Sequence, residues 1–365
     1  MSLIKFEWKK IHQAKLPYYL LAFTLLAISL LFVRNVWQQQ QIISEQVTYF
    51  NKFSSDVRME MEGDRELLKA APNPALEDKM ATGSSLNMKL GELTTNLQSG
   101  KRVEALSSEV SVYDIATIYK SKEGTFALAS QDVEAEKALN KELIALQLPK
   151  EDINRSVMPS VFTYFVVKML ISGFGVLFVL LTLIGFVTRE YEEKSIRLAY
   201  TLPVKRAHHL LVKLGLFIGV GIAWVGISTV YAYTISTLFG TSLDGQFQYP
   251  LTLIGEDWVT VQDLLQRFSW IGLLVMAAVL TIGWAIAVSA RSTVVSYIMI
   301  LAVIGGGSYL ALEGATSSWN PLQLFNLPGA LLTSETATTL GPILSVSLIA
   351  VLVVVAVQWN KRRSV

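Results

Sequence analysis

Six stretches of the chain are apolar and uncharged, and segments that carry charged residues separate them. A helix needs about 20 apolar residues to cross the ~30 Å hydrocarbon core of a bilayer, and each stretch is long enough, the first only just. The pattern therefore predicts six membrane-spanning helices, over Leu16–Val33, Met169–Thr188, Leu214–Phe239, Phe268–Ala290, Val294–Leu312 and Leu340–Trp359.

Lysine and arginine residues lie almost entirely on alternate sides of these stretches. Six spans place both termini on one side, and the two short loops on the other side hold Arg267 as their single basic residue. Short cytoplasmic loops are rich in Lys and Arg, so both termini are predicted to be cytoplasmic. The basic residues on that side are Lys5, Lys9, Lys10, Lys15, Arg189, Lys194, Arg197, Lys205, Arg206, Lys213, Arg291, Lys361, Arg362 and Arg363.

The segment Arg34–Met158, between the first two spans, is polar and is predicted to lie outside the membrane. Its apolar residues recur at helical spacing, for example at Leu86, Leu90, Leu93 and Leu97. Prolines and glycines separate such repeats, which indicates about four helices, the first continuing from the first span. Two roles fit this domain: a cap that captures substrate or covers a gate, or a spacer that packs on a dimer mate.

The expected fold class is an all-α integral membrane protein with six transmembrane helices and a helical extracytoplasmic domain inserted between helices 1 and 2. The expected parts are an interface helix over 1–15, a first span over 16–33, the extracytoplasmic domain over 34–158, and the remaining spans over 159–365, with a cytoplasmic loop at 189–213 and a re-entrant or gate segment at 313–339.

Composition narrows the possible chemistry. The chain is 52% hydrophobic and 16% charged, and it holds no cysteine, which excludes disulfides, iron–sulfur clusters and thiolate zinc sites. Its histidines, His12, His208 and His209, all lie in predicted cytoplasmic segments, so no metal site or Ser–His dyad is indicated at membrane depth. The phosphate-binding pattern G-x-x-x-x-G-K-S/T is absent. No cofactor and no nucleic-acid partner are expected.

The loop 189–213 mixes charged residues with apolar ones. Apolar Ile196 and Leu198, followed by Leu202 and Val204, stand among the charges, which indicates a short amphipathic helix that Pro203 ends. Such a helix is suited to docking on a soluble partner. The alternative is an ordinary basic loop that only fixes the topology.

This loop resembles the coupling segment of permease subunits of type-2 ABC transporters. The resemblance rests on its acidic start, on Leu202-Pro203-Val204-Lys205-Arg206 and on Lys213, while Leu3–Lys10 resembles the interface helix of that family. The loop departs from the family pattern at Lys194-Ser195, where Gly-Thr is usual, and at Lys205, where Ser is usual.

The resemblance implies a dimer of two permease subunits, either two copies of this chain or this chain and a paralogue. It also implies separate cytoplasmic ATPase subunits that bind ATP and Mg²⁺, so that the permease itself is not an enzyme. The residues implied to couple the permease to the ATPase are Glu190, Glu193, Arg197, Leu202, Pro203 and Arg206.

Several residues are candidates for a central cavity or an external gate. Phe174, Phe178, Trp224 and Tyr231 are expected to line a cavity. Lys168 either faces that cavity or extends its ammonium to the lipid headgroups. The segment before the last span is read as an external gate, as the family resemblance implies, or as part of an aromatic belt, and its candidates are Trp319 and Phe325.

The sequence therefore favours the permease subunit of an ATP-driven ABC exporter in a cell membrane, expected to be bacterial. Its substrate is expected to be amphipathic or hydrophobic: an antimicrobial peptide, a drug or a lipid-linked molecule, so that antibiotic resistance is one role. The alternative is a membrane sensor whose external domain binds a ligand without transport. A membrane-embedded enzyme is disfavoured, because the spans hold neither histidine nor acidic pairs.

Overall fold

The computed structural model describes residues 3–196, 206–254, 257–312 and 335–362, and most of them are helical. The chain divides into two compact units, here called the membrane unit and the polar unit. The membrane unit comprises Met1–Leu31, Thr163–Leu238 and Gln262–Val365, and the polar unit comprises Phe32–Phe162 and Phe239–Val261.

The described residues form thirteen α-helices. In chain order they are α1 (Leu3–Ala14), α2 (Leu16–Ala70), α3 (Pro74–Gln98), α4 (Arg102–Ser121), α5 (Ser130–Ala145), α6 (Pro159–Ile171), α7 (Gly173–Glu192), α8 (Arg206–Phe239), α9 (Val261–Arg267), α10 (Leu273–Ala290), α11 (Thr293–Ile300), α12 (Gly306–Leu312) and α13 (Glu335–Arg362).

Six helical segments of the described residues are long and apolar enough to cross a membrane, which confirms the predicted number of spans. They are Leu16–Ala70, Gly173–Glu192, Arg206–Phe239, Val261–Ala290, Thr293–Leu310 and Pro342–Trp359. The fourth and fifth contain π-helical turns, at Phe268–Gly272 and Leu301–Gly305.

The second predicted span is not one continuous helix. Ser172 is extended, with φ −63° and ψ 161°, and it separates α6 from α7. Its Oγ donates to Met169 O at 2.6 Å and accepts from Gly175 N at 3.3 Å, so it caps the start of α7. A Cβ on Gly175 would lie 2.3 Å from Leu170 O, so only glycine allows this close approach. The expected span from Met169 therefore begins in the last turn of α6 and continues into α7.

The polar unit is built on the second half of α2, with α3, α4 and α5. Helix α2 runs without a break until Ala70, just before Pro72 and Pro74. Asn73 then caps the start of α3, and its Oδ1 accepts from Ala75 N at 3.0 Å. The predicted leucine stripe packs inward, and the buried core consists of Phe50, Phe53, Val57, Leu86, Leu90, Leu93, Ala105, Val112, Tyr113, Ala116, Tyr119, Phe126 and Val133.

The prediction of an all-α protein is wrong in the loop between the third and fourth spans. Strand β1 (Pro250–Ile254) pairs antiparallel with β2 (Asp257–Thr260), in a segment rich in β-branched and aromatic residues. This loop belongs to the polar unit: the Tyr249 hydroxyl accepts from Glu151 N at 2.9 Å, and Ser160 Oγ donates to Gln246 O at 2.7 Å. The sequence had indicated only a short external connection.

Candidate functional site

Five titratable side chains from three helices meet where the loop 189–213 begins and ends. Helix α1 supplies two of them, the end of α7 supplies one, and the start of α8 supplies two. We call this group the charge cluster, and its members are Glu7, Lys10, Glu190, His209 and Lys213.

Glu190 lies at the centre of the charge cluster. Its Oε1 accepts from Lys10 Nζ at 2.6 Å, and its Oε2 accepts from Lys213 Nζ at 2.5 Å. The side chains of Glu190 and Lys213 are only 12% and 2% exposed. These two residues stand at opposite ends of the loop, so their ion pair closes its base and joins α7 to α8.

Glu7 attaches α1 to the charge cluster. Its side chain is fully buried, and its Oε1 accepts from Lys10 Nζ at 3.0 Å and lies 3.2 Å from His209 Nε2. Burial raises the pKa of Glu7, but the hydrogen bonds from His209 and Lys10 and the charge of Lys213 outweigh burial and bring that pKa down to about 2. Glu7 therefore remains ionised throughout the physiological pH range.

Helix α1 buries a charged side chain and exposes large apolar ones. Its buried residues are Glu7 and Ile11, one helical turn apart, whereas Ile4 and Trp8 are more than half exposed. Lys10 Nζ lies 4.3 Å from the centre of the Phe6 ring, a cation–π contact. The exposed apolar side chains suit the lipid interface, while a buried charge holds the helix to α7 and α8.

The end of α7 also fixes the start of the fifth span. Glu192 Oε1 accepts from Thr293 N at 2.6 Å, and its Oε2 accepts from Thr293 Oγ1 at 3.0 Å. Ser292 occupies the N-cap of α11 but makes no side-chain cap, so the carboxylate of Glu192 takes that role and complements the helix dipole. Thr188 and Thr293 add a hydroxyl contact of 2.6 Å.

A groove of about 1210 Å³ borders the charge cluster within the membrane unit. Apolar side chains of α1, α7 and α8 form one part of its lining, among them Phe6, Phe186 and Phe217. Charged groups at the end of α7 and just after it, such as Arg189 and Glu193, form another. The predicted coupling loop therefore starts beside an amphipathic groove.

The predicted coupling residues occupy different environments. Glu190 binds inside the charge cluster. Glu193 is 53% exposed and pairs with Arg189 at 2.5 Å, and Arg206 is exposed at the first position of α8. The other three, Arg197, Leu202 and Pro203, lie outside the described residues.

Two of the predicted cavity residues join α8 to α2. Trp224 is 4% exposed, and its Nε1 donates to Thr24 Oγ1 at 2.9 Å. The hydroxyl of Tyr231 lies 2.6 Å from Ser29 Oγ. Both side chains therefore serve helix packing within the chain, and their role in lining a cavity stays a prediction.

The remaining cavity and gate candidates are dispersed. Phe178 packs on Phe23 with ring centres 5.6 Å apart, Phe174 is largely exposed at the start of α7, and Lys168 is partly buried on α6. None of these three side chains lines the groove beside the charge cluster. Trp319 and Phe325 lie outside the described residues.

Sequence reasoning missed the roles of Glu7, Glu192 and His209, and it gave Lys213 only a place at the end of the loop. One signal was present: Glu7 is the only acidic residue of the otherwise basic α1. Among the described residues, no group of three His, Asp or Glu side chains could hold a metal ion.

Comparison with known proteins identifies the family. Residues 4–315 match the family model described as ABC-2 family transporter protein, a range that includes α1, the inserted polar segment and the first five spans. No curated protein and no solved structure matches the chain. The match covers well over half of the chain, which therefore belongs to the ABC-2 transporter family and is a multi-pass membrane protein of the type-2 ABC permease kind.

Proposed function

We infer that this chain is the membrane-spanning subunit of an ATP-driven exporter and that the loop 189–213 couples it to a separate ATPase. The observation that carries the proposal is the buried ion pair between Glu190 and Lys213, which closes the base of the loop. A loop closed in this way transmits displacement to both of its helices, because its two ends cannot move apart without separating buried charges.

A displacement of the loop would pass from its base to other helices of the membrane unit. Lys10 connects Glu190 to α1, and the Glu192 carboxylate connects the end of α7 to α11. Closure of the ATPase subunits would thus shift α1, α7, α8 and α11 together. This motion is the kind that alternating access of a central cavity requires.

The chain leaves ATP hydrolysis to a partner, because its sequence lacks a phosphate-binding loop. A second copy of the chain or a paralogue would complete the permease, and large apolar side chains exposed on α2 and α13 provide surfaces for a mate or for lipid. The proposed substrate is amphipathic or hydrophobic, such as an antimicrobial peptide, a drug or a lipid-linked molecule.

The proposed topology places both termini in the cytoplasm and residues 34–158 outside a bacterial plasma membrane. Single cysteines at Ser55, Ser107 and Ser195 test it, because the chain has no native cysteine. An impermeant thiol reagent should label the first two positions in intact cells and the third only after permeabilisation. Labelling of position 195 in intact cells would reverse the assigned sides.

Three loop variants test the coupling role directly. Glu193→Arg, Leu202→Asp and Pro203→Ala should each lower ATPase capture and substrate-stimulated ATP hydrolysis in reconstituted membranes, because each changes the surface expected to meet the ATPase. All three should insert normally, since none lies in a span. Glu123→Arg, which changes an exposed residue of the polar unit, is the control and should keep full coupling.

One outcome would contradict the coupling role. If all three loop variants capture the ATPase and support hydrolysis like the unmodified chain, the loop serves only topology. The alternative, a sensor that binds a ligand outside and does not transport, would then account better for the inserted domain.

A further inference from the structure

The polar unit contains a cavity of about 460 Å³ that the coupling mechanism does not use. Its lining comes mainly from α2, α4 and α5 and from residues that follow α5, with Leu97 of α3 and Leu128 before α5. Pockets that take up drug-sized ligands have volumes of about 300–1,000 Å³, so this cavity has the size of a ligand site. Its occupant can be argued from the lining.

Acidic side chains outnumber basic ones around this cavity. The basic groups are Arg102 and Lys150, and the acidic groups are Glu109, Asp132, Glu136, Glu151 and Asp152. The lining therefore carries a net negative charge that favours a cationic ligand.

The two basic residues are already paired. Lys150 Nζ binds Glu109 Oε1 at 3.0 Å and Glu136 Oε2 at 2.5 Å, and Arg102 binds Glu151 Oε1 at 3.1 Å. Their positive charges are thus neutralised within the wall, and Lys150 faces two carboxylates, so its group with Glu109 and Glu136 keeps one net negative charge. Asp132 is exposed and takes part in none of these ion pairs, so its negative charge remains available to a ligand.

Aromatic rings complete the wall. Tyr49 and Phe50 contact each other edge to face, with ring centres 5.3 Å apart, and both line the cavity. The hydroxyl of Tyr113 donates to Glu109 Oε1 at 2.8 Å, and burial raises the pKa of Tyr113 far above its ordinary value, so that this side chain stays neutral. Ring faces attract cations and also accept apolar groups.

We propose that this cavity binds an organic cation with an apolar body, a cationic amphiphile of drug size, through Asp132, Glu136 and the ring of Tyr49. The inference deepens the proposed function, on which it rests: the cation captured here is the substrate class of the exporter. The acidic groups hold its positive centre and the aromatic rings cover its apolar part.

The cavity wall is attached to a loop that leads back to the spans. Glu151, whose side chain is 4% exposed, donates its backbone N–H to the hydroxyl of Tyr249 at 2.9 Å. Tyr249 directly precedes β1, in the segment that joins the third span to the fourth. A ligand that displaces this part of the wall would act on that segment.

The test uses two probes of nearly equal shape and opposite charge, tetraphenylphosphonium and tetraphenylborate. The full chain, without its ATPase, is placed in phosphatidylcholine nanodiscs, and binding is measured by equilibrium dialysis with empty nanodiscs subtracted. The phosphonium should bind saturably at one site per chain. The borate should show no saturable binding.

Matched variants locate the site. Asp132→Asn and Glu136→Gln should each weaken phosphonium binding about three- to tenfold, the loss expected for one nearby charge in a partly solvated site. Tyr49→Ala should weaken it as well, without removing any charge. Glu134→Gln changes an exposed carboxylate on the same helix, outside the cavity lining, and should bind like the unmodified chain.

Three results would overturn the proposal: no saturable phosphonium binding, equal binding of both probes, or binding unchanged in all three cavity variants. Circular dichroism melting of each variant separates a lost site from a lost fold, and Tyr49→Ala, which alters a partly exposed side chain, keeps the test valid if a charge variant unfolds. Because the ATPase is absent, failure here leaves the coupling experiments standing, and failure of coupling leaves a measured binding site intact.

Discussion

Replacing Glu190 by glutamine should destabilise the membrane unit by about 3–5 kcal/mol, because it leaves Lys213 buried without its carboxylate. The same change removes the ion pair to Lys10 and so loosens α1. The measurement is thermal unfolding of the detergent-solubilised chain, together with capture of the ATPase. Both stability and capture should fall.

A double-mutant cycle separates this pair from general damage. Lys213→Gln alone should also be strongly destabilising, since it leaves Glu190 facing a single lysine. The combined variant should cost less than the sum of the two single changes by about 1–3 kcal/mol, because neither buried charge is then left without its partner. Additive losses would mean that the two residues do not interact, and the loop would lack the closed base described above.

The control is an ion pair of the same chemistry on the surface. Glu66 Oε1 and Lys69 Nζ are 2.6 Å apart, but both side chains are largely exposed. Exposed ion pairs contribute about 0–1 kcal/mol to the free energy of unfolding. Glu66→Gln should therefore leave both the unfolding temperature and ATPase capture nearly unchanged. A loss as large as that of Glu190→Gln would show that the assay responds to any lost carboxylate.

Much of the fold was predictable because membranes impose a simple rule on sequence. A span needs about 20 predominantly apolar residues, so the six spans appear as uncharged stretches. The break at Ser172 could not be recognised from the sequence, because serine and glycine are also common inside membrane helices. The paired strands Pro250–Ile254 and Asp257–Thr260 were missed because each is only four or five residues long, too short for an alternating pattern to stand out from a loop between spans.

The candidate site was predictable only in part. The family resemblance pointed to Glu190 and Glu193, but nothing local distinguishes the carboxylate that turns inward from the one that stays exposed. Contacts such as that of Glu190 with Lys10 join residues 180 positions apart, and sequence spacing carries no signal for them. The leucine stripe of α3 was predictable because helical periodicity is local.

Glu7→Gln should destabilise the chain by about 3 kcal/mol at pH 7, the free energy that corresponds to lowering a carboxyl pKa from 4.5 to about 2. A depressed carboxyl pKa contributes stability above the unfolded value and loses it as pH falls toward the folded value. The difference in unfolding temperature between the unmodified chain and Glu7→Gln should therefore be large from pH 5 to 8 and shrink between pH 4.5 and 2.

Lys9→Gln is the matched control, because it removes a charge from an exposed position of the same helix. It should change the unfolding temperature little at any pH. If Glu7→Gln behaves like this control at pH 7, Glu7 does not hold α1 to α7 and α8 in the folded protein. If the predicted loss appears, α1 is anchored to α7 and α8 by a buried charge at the base of the loop 189–213.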